Sequence, residues 1–192
     1  TTGVQLWRAN ASGQTIDINS SGTIVVSGKL PTSSVYRTHK MNSIGLIEWT
    51  IIYGLDEPRD ISIDENGNTV VAGLGGLFYY TSAGQELWSL SSDVESICFD
   101  LNNNVVTFSP DGVRLNQKNI LTSLYNSNGN EVWSDVYDGP GISQLVLYDM
   151  AGDNEGNIYL TGNNQSGIPL SGTVKISSDG TIIWSKEQND IL

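Results

Sequence analysis

The chain has 192 residues, with nine Lys and Arg against 21 Asp and Glu, giving a formal net charge of −12. That balance argues against nucleic-acid binding, which needs a basic stripe, and no run of about 18 apolar residues is present to cross a membrane as a helix. Glycine, at 21 of 192 against an average usage of about 7%, points to many tight turns and few long helices.

The first predicted element is a strand over 3–9 that carries Gly3 and Trp7. Its Gly-x-x-x-Trp spacing returns at Gly45–Trp49, Gly84–Trp88, Gly129–Trp133 and Gly180–Trp184, which takes in all five tryptophans. The intervals from Trp7 to Trp49, Trp88, Trp133 and Trp184 are successively 42, 39, 45 and 51 residues. A recurrence of this length marks a repeated supersecondary unit.

Between the tryptophans a second pattern recurs: an alternating apolar stretch, an Asp or Asn, a Gly/Asn-rich turn, then a β-branched run. The copies are IDINSSGTIVVSG (16–28), ISIDENGNTVVAG (61–73), ICFDLNNNVVTFS (97–109) and MAGDNEGNIYLTG (150–162). Asn19, Asp64, Asp100 and Asp153 are equivalent, as are Gly22, Gly67, Asn103 and Gly156. The last set is expected in the left-handed conformation, which Gly adopts freely and Asn tolerates.

Each unit reads as four strands, A to D, over about 12–52, 57–90, 94–136 and 144–187. In the second, strand A is expected at 59–64, a hairpin turn at Glu65–Asn68, strand B at 69–73, strand C at 77–82, and strand D through Trp88. Period-two patterning in units of this size describes an all-β fold, a β-propeller of four-stranded antiparallel blades. One blade cannot bury both faces alone, so blades stack. A tryptophan once per blade can fill the space between neighbours, its indole N–H bonding a carbonyl of the next blade.

The segments TVKISSDGTIIWSK (173–186) and GDNEGNIYLTG (152–162) resemble the C–D and A–B parts of bacterial propeller repeats of the seven-bladed beta-propeller repeat type. The Gly-x-x-x-Trp element is similar to the tryptophan-docking motif of pyrroloquinoline quinone enzymes. That motif carries an Asp where this chain has Met41, Tyr80, Tyr125 and Ile176, so the resemblance implies shared blade packing rather than a quinone site. The strand at 3–9 matches strand D although the last unit has its own. The chain is thus expected to be part of a larger propeller whose further strands precede this strand, with pairing to another chain or an unusual ring closure as the alternatives.

Antiparallel strands put the A–B and C–D turns at one end of each blade and the B–C and D–A connections at the other. The latter are expected to be long and irregular: Lys29–Ser34, Tyr53–Asp60, Ser109–Asn119, Tyr137–Ser143 and Asn163–Leu170. Function concentrates in irregular loops on a rigid scaffold. Tyr53, Asp56, Glu57 and Arg59, Asp111 and Arg114, Tyr137 and Asp138, and Asn163, Asn164 and Gln165 are the candidate ligand residues. Their aromatic, amide and carboxylate groups suit a glycan or a protein.

No catalytic constellation is expected. His39, the only histidine, lies in a strand C and reads as a packing or surface residue rather than a catalytic one; Cys98, the only cysteine, excludes an internal disulfide and reads as a structural thiol. Calcium is the one cofactor with candidate ligands: Asp64, Asn66 and Asn68, Asp100 and Asn102, and Asp153 and Glu155 present oxygens at alternate positions. The same residues suit a hairpin turn, which is the favoured reading. The function expected is a non-enzymatic binding or scaffold module that is secreted or exposed on a cell or virion, lectin-like, adhesive or structural. The alternative is a propeller enzyme, a glycoside hydrolase or lyase acting through paired carboxylates or a quinone-dependent dehydrogenase.

Overall fold

The computed structural model describes residues 13–29, 35–53, 57–111, 119–137, 145–164 and 170–189. Among them are sixteen β-strands and no helix, arranged as four four-stranded antiparallel sheets. The first sheet holds β1 (Thr15–Ile18), β2 (Ile24–Lys29), β3 (Tyr36–Met41) and β4 (Ile47–Tyr53). The second holds β5 (Glu57–Ile63), β6 (Thr69–Leu74), β7 (Gly76–Tyr80) and β8 (Glu86–Leu90). The third holds β9 (Ser96–Phe99), β10 (Val105–Asp111), β11 (Asn119–Tyr125) and β12 (Glu131–Tyr137). The fourth holds β13 (Leu145–Gly152), β14 (Ile158–Asn164), β15 (Leu170–Ile176) and β16 (Ile182–Asn189). Each sheet keeps its strands in sequence order, which is the A–B–C–D blade. The strand expected at 3–9, with Trp7, lies outside the described residues.

The eight A–B and C–D turns are one structure made eight times. Each spans five residues. In the turn that begins at Asp64, the Asp64 N–H donates to the Asn68 carbonyl, and the Gly67 N–H donates back to the Asp64 carbonyl. The same pair of bonds closes the turns that begin at Asn19, Asn42, Thr81, Asp100, Asn126, Asp153 and Ser177. Such a turn needs one left-handed residue, and Asn103 supplies it at φ 58° where the other turns use Gly. The side chain of the first residue adds to the lock: Asp64 Oδ1 accepts the Asn68 N–H at 2.7 Å and Oδ2 accepts Asn68 Nδ2 at 2.8 Å.

The chain forms two compact units, Thr1–Ser92 with the first two blades and Asp93–Leu192 with the last two. In the first unit, alternation sorts each strand onto two faces. Val25 and Ile51 of the first blade pack on Ile61, Ile63, Val71 and Tyr80 of the second. Val25 and Val71 are completely buried, each contributing about 1.5–3 kcal/mol by burial. The innermost strands β1 and β5 lie side by side, and Asp17 Oδ2 accepts the Ile63 N–H at 2.9 Å and the Ser62 hydroxyl at 3.1 Å. Ser20 of one A–B turn bonds Glu65 of the next.

The second unit repeats the plan with a larger apolar core. Val106, Phe108 and Leu124 of the third blade meet Met150, Ile158, Leu160, Val174 and Ile176 of the fourth. Cys98, expected to be structural, packs against this core. His39 is likewise a packing residue, 7% exposed, with Nδ1 2.8 Å from the Thr50 hydroxyl.

Candidate functional site

The connections at the B–C and D–A end differ in length from blade to blade, as expected, but are not long. They run from one residue, Gly75 between β6 and β7, to seven between β10 and β11 or β12 and β13. Several residues placed in loops by sequence are strand residues instead. Strand A of the second blade begins at Glu57 and ends at Ile63, rather than spanning 59–64. Glu57 pairs with Leu74 and Pro58 with Gly73, and the register shifts between Pro58 and Asp60. A bulge accommodates Arg59 and lets a proline sit in the strand. Strand C of this blade, expected at 77–82, is Gly76–Tyr80 because the C–D turn begins at Thr81.

Pairing register fixes the remaining candidates at the same ends of their blades. Tyr53 pairs with Tyr36, Asp111 with Asn119 and Tyr137 with Ile120. Asn163 pairs with Val146 and Ser171, and Asn164 with Leu145 and Leu170. Asp56, Arg114, Asp138 and Gln165 lie outside the described residues. In the first unit the loop-end row is thus Lys29, Tyr36 and Tyr53 in blade one and Glu57 with Leu74 in blade two. Glu57 and Arg59 are exposed and Pro58 between them is buried. Lys29 and Tyr36 were not candidates from sequence. They become one through register, which sets Lys29 Nζ 5.9 Å from the Tyr36 ring centre, a cation–π spacing. Nothing in the sequence announces that pairing, because the two residues are joined by a variable connection.

The calcium candidates sit at the opposite end, where the carboxylates of Asp64, Asp100 and Asp153 accept turn hydrogen bonds. Asp100 repeats the Asp64 arrangement, accepting the Asn104 N–H at 2.8 Å and Asn104 Nδ2 at 2.8 Å. Asp153 accepts from Asn157, the Glu155 N–H and the Tyr159 hydroxyl. These donors, the Asn157 side chain foremost, hold its carboxyl well below the usual aspartate range. Asn66 and Asn102 are exposed turn residues. Among the described residues no three His, Cys, Asp or Glu cluster in a way that would hold a metal ion.

Trp49 and Trp133 make the junctions between the two blades of each unit. Trp49 Nε1 donates to the Ser82 carbonyl at 3.1 Å, in the C–D turn of the next blade. Its ring lies flat on that turn, so a Cβ added to Gly84 would stand 3.0 Å from Trp49 Cγ. Trp133 repeats both contacts, with Nε1 3.0 Å from the Ser178 carbonyl and the ring 3.1 Å from a Cβ at Gly180. The Gly-x-x-x-Trp motif therefore closes on itself across the junction, the tryptophan of one copy seated on the glycine of the next. Lys40, which sequence reading passed over, is part of the same clamp: its Nζ donates to the Ser82 carbonyl at 2.9 Å and pairs with Glu48 at 3.4 Å. Each of the other two described tryptophans also meets a tyrosine ring of its own blade, Trp88 stacking on Tyr79 at 5.2 Å and Trp184 standing edge-on to Tyr159 at 6.1 Å.

This is the architecture of a β-propeller repeat protein. No family model and no curated protein sequence matches the chain, whereas solved structures do. A protein of unknown function from Bacteroides caccae superposes with a TM-score of 0.64 at 18% identity, covering 95% of this chain and 71% of its own. Quinohemoprotein alcohol dehydrogenase from Comamonas testosteroni superposes with a TM-score of 0.64 at 15% identity, covering 94% of this chain and 36% of its own. The Pan2 WD40 domain of Neurospora crassa gives a TM-score of 0.58 at 9% identity, covering 89% and 64%. Likeness at these identities establishes the propeller fold, which serves catalysts and scaffolds alike.

Proposed function

We propose that the chain is a non-enzymatic binding or scaffold module, acting in an extracellular or surface-exposed setting, whose ligand is a glycan or a protein. One observation carries this reading. All eight A–B and C–D connections have the same length and hydrogen bonds, while every connection that varies leaves the opposite end of its blade. A fixed framework with variation confined to one end is the arrangement of a recognition surface. Lys29, Tyr36, Glu57 and Arg59 supply aromatic and charged groups to that end in the first unit.

The test is a glycan array run beside a protein-partner capture, using the chain and two kinds of variant. Glu57→Ala and Arg59→Ala are expected to weaken the captured ligand, and Asn66→Ala in an A–B turn is expected to leave it unchanged. The reverse pattern would overturn the reading. So would turnover of glycosides, or of alcohols with added quinone cofactor, which would instead favour the propeller enzyme.

A further inference from the structure

The two described junctions differ beside the tryptophan. At the first, the residue two places after Trp49 is Ile51, which packs on the core shared with the second blade, and the residue before the seat glycine is Ala83. Lys40, opposite Trp49 in register, brings an ammonium group to the Ser82 carbonyl. At the second junction Asp135 and Asp179 stand in the places of Ile51 and Ala83. Leu124 stands opposite Trp133 in the place of Lys40 and is buried in the apolar core. The second junction thus has two added carboxylates and, in the place of Lys40, no cation.

Asp135 and Asp179 line one groove of about 370 Å³ together with Trp133, Thr181 and Ile182. Trp133 and Ile182, its apolar wall, are half-buried and pack against the core of the unit, while both aspartates are exposed. Asp135 accepts the Val136 N–H at 2.8 Å, and Asp179 accepts the Ser177 hydroxyl and the Thr181 N–H. These donors are neutral, and among the described residues neither carboxylate has a Lys or Arg partner. The Ser177 hydroxyl foremost, then the Thr181 N–H, hold the Asp179 carboxyl below its usual range, so it stays charged. An apolar wall beside two negative charges is complementary to a cation on an apolar stem. Lys and Arg have that form, laying the stem along apolar surface with the charged head in water. A neutral sugar would leave both charges unmet. β12, which supplies Trp133 and Asp135, is the terminal strand of its sheet, and among the described residues only β11 pairs with it. A strand edge of this kind accepts an extended peptide.

We propose that this groove takes a lysine or arginine side chain from an extended basic segment of a partner protein, its stem against Trp133 and Ile182 and its charge met by Asp135 and Asp179. The first junction has no such site, because Ile51 and Ala83 bring no charge and Lys40 supplies the ammonium from within. The groove includes a C–D turn, at the end of the blade away from the ligand surface proposed above, and does not rest on that reading.

Nuclear magnetic resonance titration of the chain tests it, with a blocked peptide of alternating threonine and lysine as the probe and its norleucine counterpart as the uncharged control. The lysine peptide should shift the Trp133 indole N–H and the Thr181 amide saturably, and the norleucine peptide should not. Asp135→Asn and Asp179→Asn should each raise the dissociation constant about two- to five-fold, the range of exposed ion pairs. Glu86→Gln, which removes the same charge beside the first junction, should leave it unchanged, as should Glu57→Ala at the loop end. Spectra as dispersed as those of the parent chain would show that the variants fold. No response at Trp133 to the lysine peptide overturns the proposal, as does an equal response to norleucine or to neutral monosaccharides. Equal weakening by all four substitutions also overturns it, since that would be general attraction to a chain of net charge −12.

Discussion

Substituting Gly84 by Ala strains the first junction in two separable ways. Gly84 has φ +80°, and an L-residue in the left-handed region costs about 1–2 kcal/mol. The new Cβ would also lie 3.0 Å from Trp49 Cγ and 3.2 Å from Cδ1 and Cδ2, so the indole must retreat by a few tenths of an ångström. That weakens its bond to the Ser82 carbonyl, adding up to about 0.5–1.5 kcal/mol. Gly75 is the built-in control. It has φ +84° and nothing within 4 Å of an added Cβ, so Gly75→Ala carries the backbone cost alone, about 1–2 kcal/mol. The assay is urea unfolding of both variants followed by circular dichroism. Gly84→Ala is expected to be the less stable of the two by about 0.5–1.5 kcal/mol. Equal losses, or a Gly84→Ala variant within about 0.5 kcal/mol of the parent chain, as for a neutral surface change, would refute the seat.

Asp64→Ala removes the acceptor of two turn hydrogen bonds at a residue 3% exposed and should cost about 1–3 kcal/mol in the same assay. Burial, with the Arg37 charge second, lowers the His39 pKa below 6.5, so the neutral ring supplies stability above that value that is lost as pH falls toward the folded pKa. Urea midpoints measured between pH 7 and 5 should therefore decline, and His39→Gln should flatten that decline. Asp153, whose pKa is lowered from 3.8, stabilises the second unit above that pH and loses this contribution as acid protonates it; Asp153→Asn should remove that acid-side step. Because the turns already engage the carboxylates of Asp64, Asp100 and Asp153, calcium or a chelator should leave the thermal midpoint unchanged, which scanning calorimetry would read.

The blade plan was legible in the sequence because it is enforced at every copy by local chemistry. A five-residue turn that begins with Asn, Asp, Thr or Ser and needs one left-handed residue leaves a readable trace, down to Asn103 standing where the other turns have Gly. The tryptophan's destination was legible as a type of contact. Its full geometry was not, since seating on Gly84 joins residues far apart in the chain. Lys40 was missed for the same reason: within its own strand it reads as an alternating polar residue, and only the next blade gives it a carbonyl. Asp17 was missed likewise, its partner Ile63 belonging to the neighbouring innermost strand. At the candidate ligand end the sequence marked variability but not where the strands stop. It left Glu57 and Arg59 in a loop that the ladder claims for β5, because Pro58 reads as a strand breaker unless a bulge is foreseen.

The central claim is that within each unit the tryptophan of the first blade fastens it to the second through a glycine seat, Trp49 on Gly84 and Trp133 on Gly180. Proton chemical shifts test this most directly. With the indole rings of Trp49 and Trp133 lying on Gly84 and Gly180, ring currents should move the α-protons of both glycines upfield, with nuclear Overhauser contacts to the respective rings. Glycine α-protons at ordinary shifts, with no contact to either indole, would contradict the account.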